Sequence, residues 1–184
     1  MYTPISEDGI SDYSEGFVVK FFASDNTDWV ANFKLGWTNF NHVHSLNDSE
    51  LIVIIAGGAC YIMHPNEQKP KSAFGVGFKS ILEKEDGGIV LEDLTNLTII
   101  DPNGEHWHTE QISFDGLAEL KIENNVVSGL SYEPTADDDL WIDFSLDLKS
   151  RKISGGSYNL IFGNKGKTSE GHETIDSKPW WKIW

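Results

Sequence analysis

The chain has 184 residues, with 29 Asp plus Glu against 14 Lys plus Arg, a formal charge of −15 and one cysteine. A chain of that size folds as one domain that buries about 70% of its unfolded surface without disulfide help, and the lone Cys60 excludes an intrachain bridge. Such a charge repels nucleic acid and anionic membranes and would attract a basic partner, met faster at low salt, although composition alone reads first as plain solubility.

The opening MYTPISEDGISDYSEG is acidic and polar, unlike a secretory signal, and its first ten residues are expected to be loose. In SDYSEGFVVKFFAS, the residues Tyr13, Phe17, Val18, Phe21 and Phe22 recur at spacings that predict a helical face, capped by Ser11 or Asp12 and ended by Ser24, Asp25 and Asn26. A strand over Phe17–Phe22 competes, because Val and Phe favour sheets. Trp29 and Phe33 then predict a short helical turn that stops at Gly36.

After Gly36 the sequence becomes short apolar runs between turn signals such as AGG, HPNEQKP, EDGG, DPNG, ENN and SGG. The predicted strands are Phe40–Leu46, Leu51–Ala56, Ala59–Met63, Ala73–Val76, Ile89–Glu92, Leu97–Ile100, Trp107–Ile112, Leu117–Ile122, Val126–Tyr132, Leu140–Leu148 and Ile153–Tyr158. A shift of 37 residues lays Ile52-Val53-Ile54 on Ile89-Val90-Leu91, Ile62 on Ile99, and Pro65-Asn66 on Pro102-Asn103. A third, longer unit follows, with FSLDLKSRKI in the place of the second strand and its turn. Repeated hairpins predict a mainly β fold, a curved antiparallel sheet, propeller-like or barrel-like, with the N-terminal helix packed on or beside it. The domain occupies residues 11–160, followed by a polar arm and aromatic C-terminal segment over 161–184.

The run Leu51 to Met63 is shorter than the ~18 apolar residues of a membrane span, so the expected location is the cytoplasm. Cys60 within it reads as a small buried hydrophobe. Ile52 to Ile55 is apolar on both faces, as an inner strand should be. The stretch DDDLWIDFSLDL alternates instead. Ile142, Phe144, Leu146 and Leu148 face the core, which leaves Trp141, Asp143 and Asp147 towards water.

His42 with His44, and His106 with His108, would each share a strand face, a metal geometry only if the two pairs met. Without a matched carboxylate they read as ordinary polar histidines, and no metal or other cofactor is expected. Glu92 with Asp93, Glu83 with Glu85, and Asp137 to Asp139 read as solvated acids, and no phosphate loop or nucleophile elbow occurs. The aromatic end KPWWKIW reads as a lid folded over the sheet near Trp141, or as a partner-binding tail.

The segment Trp107 to Tyr158 resembles the end of a group of small uncharacterised bacterial β-rich proteins. The matching residues are Trp107, Ile112, Ser113, Asp115, Gly116, Tyr132, Pro134, Trp141, Ile142, Phe144, Gly155, Gly156, Ser157 and Tyr158, and with LIVIIAGGACYIMHP the likeness covers most of residues 28 to 158. It implies a shared fold without an established activity, in a group that includes immunity proteins paired with bacterial toxins. The resulting expectation is a non-enzymatic acidic binding protein, monomeric or weakly dimeric, that neutralises a basic toxin domain such as a nuclease. Asp137, Asp138, Asp139, Asp143 and Asp147 would meet its cations, with Trp141 as aromatic anchor. The competing expectation is a small-ligand or carbohydrate-binding module, or a hydrolase, using the tryptophans and histidines in a barrel mouth or channel.

Overall fold

A computed structural model describes residues 2–7, 15–134 and 139–158. Its elements over those residues are fifteen strands in four sheets.

The N-terminal part departs from the predicted helix. Strands β1 (Thr3–Ile5), β2 (Gly16–Phe22) and β3 (Asp28–Lys34) form a sheet in the order β1-β3-β2. Phe17, Val19 and Phe21 turn inward from β2, while Val18 and Phe22 stand 48% and 72% exposed. A helix would have placed Val18 and Phe22 on the buried side with Phe21. The residues read as the helix stop build the hairpin turn instead: Ala23 N–H donates to Thr27 O at 2.9 Å, Asp25 Oδ1 accepts from the Thr27 N–H and hydroxyl, and Asn26 takes φ 65°. The turn of helix expected at Trp29 and Phe33 is likewise strand, with Ala31 between them also turned into the core. Within the ten residues expected to be loose, β1 pairs parallel with β3 and buries Ile5. Tyr13 and the proposed caps Ser11 and Asp12 lie outside the described residues.

Among the described residues, the chain after β3 repeats one plan three times. The second sheet runs β4 (His42–Ser45), β5 (Ile52–Ala56), β6 (Ala59–Met63), β7 (Ser72–Phe74), each strand antiparallel to the next. The third runs β8 (Ser80–Glu83), β9 (Ile89–Glu92), β10 (Leu97–Ile100), β11 (His106–His108). The fourth runs β12 (Leu117–Glu123), β13 (Val126–Pro134), β14 (Asp139–Asp147), β15 (Lys152–Gly155). Of these strands, β8 escaped the sequence reading.

The sheets stack face to face. Ile54, Ala59, Tyr61 and Met63 meet the first sheet on one side of the second. Val53, Ile55, Cys60 and Ile62 meet Ile89, Leu91 and Ile100 of the third on the other side. Val90, Leu97 and Ile99 then meet Val127, Phe144 and Leu146 of the fourth. The shift of 37 residues preserves these faces: Ile54 and Leu91 each look back to the preceding sheet, while Val53 and Val90 look forward to the next. The repeat is therefore a repeat of four-stranded sheets, and the single curved sheet of the sequence reading is four separate sheets, the last three of them meanders, in a propeller-like stack. Cys60 is buried in one of these layers, and burial pushes its thiol pKa up.

A bulge adjusts the fourth sheet. Leu117 and Leu120 both face the third sheet although they are three residues apart, an odd spacing that a regular strand would send to opposite faces. The register slips between Ala118 and Lys121, with Glu119 at φ 53°, which restores the apolar side chains to the core.

Candidate functional site

The fourth sheet has one dry face and one wet face. On β14, Phe144 and Leu146 are buried, whereas Trp141 is 47% exposed and Asp143 is exposed. Cross-strand pairing puts Trp141 opposite Tyr132, Asp143 opposite Leu130 and Asp147 opposite Val126 and Lys152. Directly paired residues share a face, so Tyr132 and Trp141 stand together. Their ring centroids are 5.2 Å apart at 57°. The Tyr132 hydroxyl donates to Asp139 Oδ1 at 2.5 Å. That bond, with the charges of Asp139 and Asp115 nearby, raises the phenol pKa and keeps it a neutral donor.

The six expected contact residues fare differently. Asp139, Trp141 and Asp143 lie together along β14. Asp137 and Asp138 lie outside the described residues. Asp147 serves its own turn: Oδ1 accepts from the Lys149 N–H at 3.0 Å, the Ser150 N–H at 2.7 Å and the Ser150 hydroxyl at 2.9 Å. Those bonds, Ser150's backbone first, lower its carboxyl pKa below the ordinary 3.8. A carboxyl lowered by folding stabilises the fold above its unfolded value, and that contribution disappears as pH falls through the folded value. Asp147→Asn should therefore be less stable than the parent near neutrality, with the gap closing in acid below the ordinary carboxylate range. Urea unfolding at stepped pH measures it; a gap independent of pH would show that the charge of Asp147 does not support the turn.

Tyr132 and Asp115 were absent from the expected contact set, although both stand in the motif that carried the resemblance. The motif residues converge on one corner behind the aromatic pair. Ser113 Oγ donates to Gly116 O at 2.6 Å, with Tyr132 O 3.0 Å away. Ser157 Oγ donates to Tyr132 O at 2.8 Å, and its N–H reaches Ser131 Oγ at 2.9 Å. Gly156 N–H donates to Asp143 O, and Tyr158 N–H donates to Ile112 O. The serines at 113, 131 and 157 are fully buried, and these bonds satisfy their hydroxyls. Gly155, at φ 76°, passes so close to β14 that a Cβ would sit 2.3 Å from Asp143 O. This clasp ties the chain after β15 and the Ile112–Gly116 loop to β13 and β14, and so fixes Tyr132 beside Gly116.

The histidine pairs do not meet. His42 and His44 sit on β4, where His44 approaches Gly87 O at 3.5 Å and Glu83 at 3.8 Å. His106 and His108 sit on β11 against Phe74 of β7, the opposite edge of the second sheet. Burial, then the neighbouring His108, lowers the His106 pKa. An open depression of about 440 Å³ beside them is lined by Lys71, Asp101, Glu105, His106, Trp107 and Arg151, among others. Three of its side chains have partners within the fold: Asp101 pairs with Lys84 Nζ at 2.7 Å, His106 stacks on Phe74 at 4.0 Å, and the Arg151 guanidinium lies 4.8 Å over the Trp107 ring. Among the described residues no group of three His, Cys, Asp or Glu side chains could hold a metal ion. The aromatic end KPWWKIW lies outside the described residues.

No family model and no curated protein matches this chain. Among solved structures it is similar to the N-terminal domain of Nup159, at a TM-score of 0.43 and 13% identity, covering 84% of this chain and 43% of that one. It is also similar, at a TM-score of 0.43 and 14% identity, to a chain of a complex from S. cerevisiae of a Dbp5 variant bound to Nup159, a Gle1 variant, IP6 and ADP, covering 83% of this chain and 43% of that one. The chain thus spans less than half the length of either, and no family is assigned.

Proposed function

We propose that this is a non-enzymatic binding protein whose wet β14 face takes a basic protein partner. The observation that carries it is a half-exposed Trp141 between Asp139 and Asp143, neither of which has a lysine or arginine ion-pair partner among the described residues. An exposed indole supplies area at low conformational cost, and the two carboxylates beside it supply charge complementarity. The net charge of −15 would steer a cationic partner to this surface. In its finer form the reading is an immunity-type inhibitor that occludes the active site of a cationic toxin domain such as a nuclease, supported by the charge and by the resemblance over Trp107 to Tyr158.

The test uses the full chain as bait on a lysate of its source organism, at low and at moderate salt. A basic protein should be retained, lost with Trp141→Ala, and bound about tenfold more slowly by Asp143→Lys at low salt. Asp147 is left unchanged because it holds its turn. Adding the chain to the captured protein should abolish any nuclease activity it has. Retention of nothing basic at either salt sinks the reading. Equal association rates for parent and Asp143→Lys would place the contact elsewhere. A small-ligand module using the depression at Trp107 and Arg151 would instead leave binding insensitive to Trp141.

A further inference from the structure

We infer that Tyr132, Trp141 and Gly116 form a cleft that receives one arginine side chain of the partner, with the carboxylates of Asp139 and Asp115 as its acceptors. The inference rests on the protein-partner reading and names the group that enters the β14 face.

The cleft has three walls. Tyr132 and Trp141 are direct cross-strand partners, and their rings meet tilted by 57° with 5.2 Å between centroids. Gly116 is the third wall, at φ 130°. A Cβ built there would touch Tyr132 Cβ at 3.9 Å and Trp141 Cη2 at 4.0 Å, both ordinary contacts, so the glycine leaves room for a further carbon against the aromatic pair. Gly116 O accepts from the Tyr132 N–H at 3.0 Å and the Ser113 hydroxyl at 2.6 Å, which holds this wall against the sheet.

The chemistry of the walls selects the occupant. Aromatic faces attract cations through the ring quadrupole, Trp most strongly. The Tyr132 hydroxyl occupies Asp139 Oδ1 and orients the ring, while a carboxylate retains acceptor capacity on its second oxygen. Asp115 is exposed and next to Gly116, and its charge acts on Tyr132. A guanidinium is flat enough to lie against a ring while its in-plane N–H groups reach a carboxylate at the edge. An ammonium is a compact, strongly hydrated point charge and uses such a cleft less fully. A neutral group gains neither attraction.

The experiment follows the indole N–H signals of the isotope-labelled full chain by NMR, with the Trp141 signal assigned from Trp141→Phe. The probes are N-acetyl-arginine amide, its lysine counterpart and the neutral isostere N-acetyl-citrulline amide. The arginine probe should shift the Trp141 signal saturably, the lysine probe should bind more weakly, and the citrulline probe should leave the signal in place. Asp139→Asn should weaken arginine binding by about tenfold, equivalent to one carboxylate contact, with the remaining indole signals reporting an intact fold. An unmoved Trp141 signal, or equal response to arginine and citrulline, overturns the cleft. Equal response to lysine and arginine overturns the choice of guanidinium. Capture of a basic partner through Asp143 with a silent Trp141 signal would sink the cleft and leave the acidic-face reading standing. A responsive cleft with no partner captured at either salt would sink the protein-partner reading and leave the cleft.

Discussion

Phe144→Ala should destabilise the protein by about 3–5 kcal/mol, the range that aromatic truncation costs in a core. The ring is 3% exposed and lies in the layer between the third and fourth sheets, with Ile112, Leu117, Val127 and Leu146. Its cross-strand partners explain why the loss should be large. Phe144 pairs with Gly129 on one side and with Gly155 on the other. A Cβ on Gly129 would come 3.2 Å from the Phe144 ring and 2.7 Å from Leu120 Cδ2, so ring and leucine fill the space above a residue that has no side chain. Truncation would leave glycine, alanine and glycine in a row across β13, β14 and β15, with nothing able to lean into the cavity. Sites that cannot collapse show the highest cost per lost methylene. Urea unfolding of the variant against the parent gives the number, and Asp143→Ala, one residue away on the wet face, should stay within about 0.5 kcal/mol. A cost below about 1 kcal/mol for Phe144→Ala would mean that the ring is not part of a tightly packed layer.

How far the sequence carries depends on which period a residue pair can distinguish. Phe17 with Phe21, and Trp29 with Phe33, are four apart, a spacing that satisfies one helical turn and strand parity equally well. The deciding residues lie between: Val19 and Ala31, at the two-residue step, are on the core side. Giving weight to Val18 and Phe22 as a buried face led to the helix, and their exposure shows that the first sheet leaves apolar residues on its outer side. The central hairpins were legible because continuous apolar runs fix inner strands: β6, β9 and β10 have the predicted bounds. Strand β8 was missed because SILE within KSILEKEDGG is a short edge strand with an acidic end, indistinguishable locally from a loop. At the candidate site, the parity of β14 was readable and places Trp141 outward. Its neighbour Tyr132 was not, because that contact is set by hairpin register across a loop whose length alone does not determine pairing. The bond from the Ser150 N–H to Asp147 leaves a faint signature, an aspartate followed three residues later by serine before a strand, of the kind that marks a side-chain-capped turn.

The second large effect is expected where the first sheet joins the second. Gly36→Ala should cost about 3 kcal/mol, at the top of the usual range for overpacking. The segment after β3 crosses the β5–β6 turn, and its backbone is bonded to three others: Gly36 N–H to Ala56 O at 2.9 Å, Trp37 N–H to Val76 O at 2.7 Å and Thr38 N–H to Gly57 O at 2.8 Å. A Cβ at Gly36 would lie 2.4 Å from Val76 O, 2.7 Å from Ala59 N and 2.7 Å from Gly57 O. All three obstacles are backbone atoms, so no rotamer change relieves the clash. Room for one methyl requires the crossing to lift away, which strains the bonds that hold the sheets in register. For a chain of this size the shift in Tm should be roughly 6–12 °C. Hydrogen exchange should accelerate first in β2 and β3, which the crossing anchors, and last in the fourth sheet. Gly77→Ala is the control. Its Cβ would meet Asp93 Oδ1 at 2.7 Å, but that atom ends a side chain that can swing aside, and the next contact is at 3.6 Å. The control should therefore cost less than about 1 kcal/mol. Equal losses from the two glycines would show that close backbone approach at Gly36 does not set the cost, and that the first sheet is held by its apolar layer of Phe21, Phe33 and Ile54 alone.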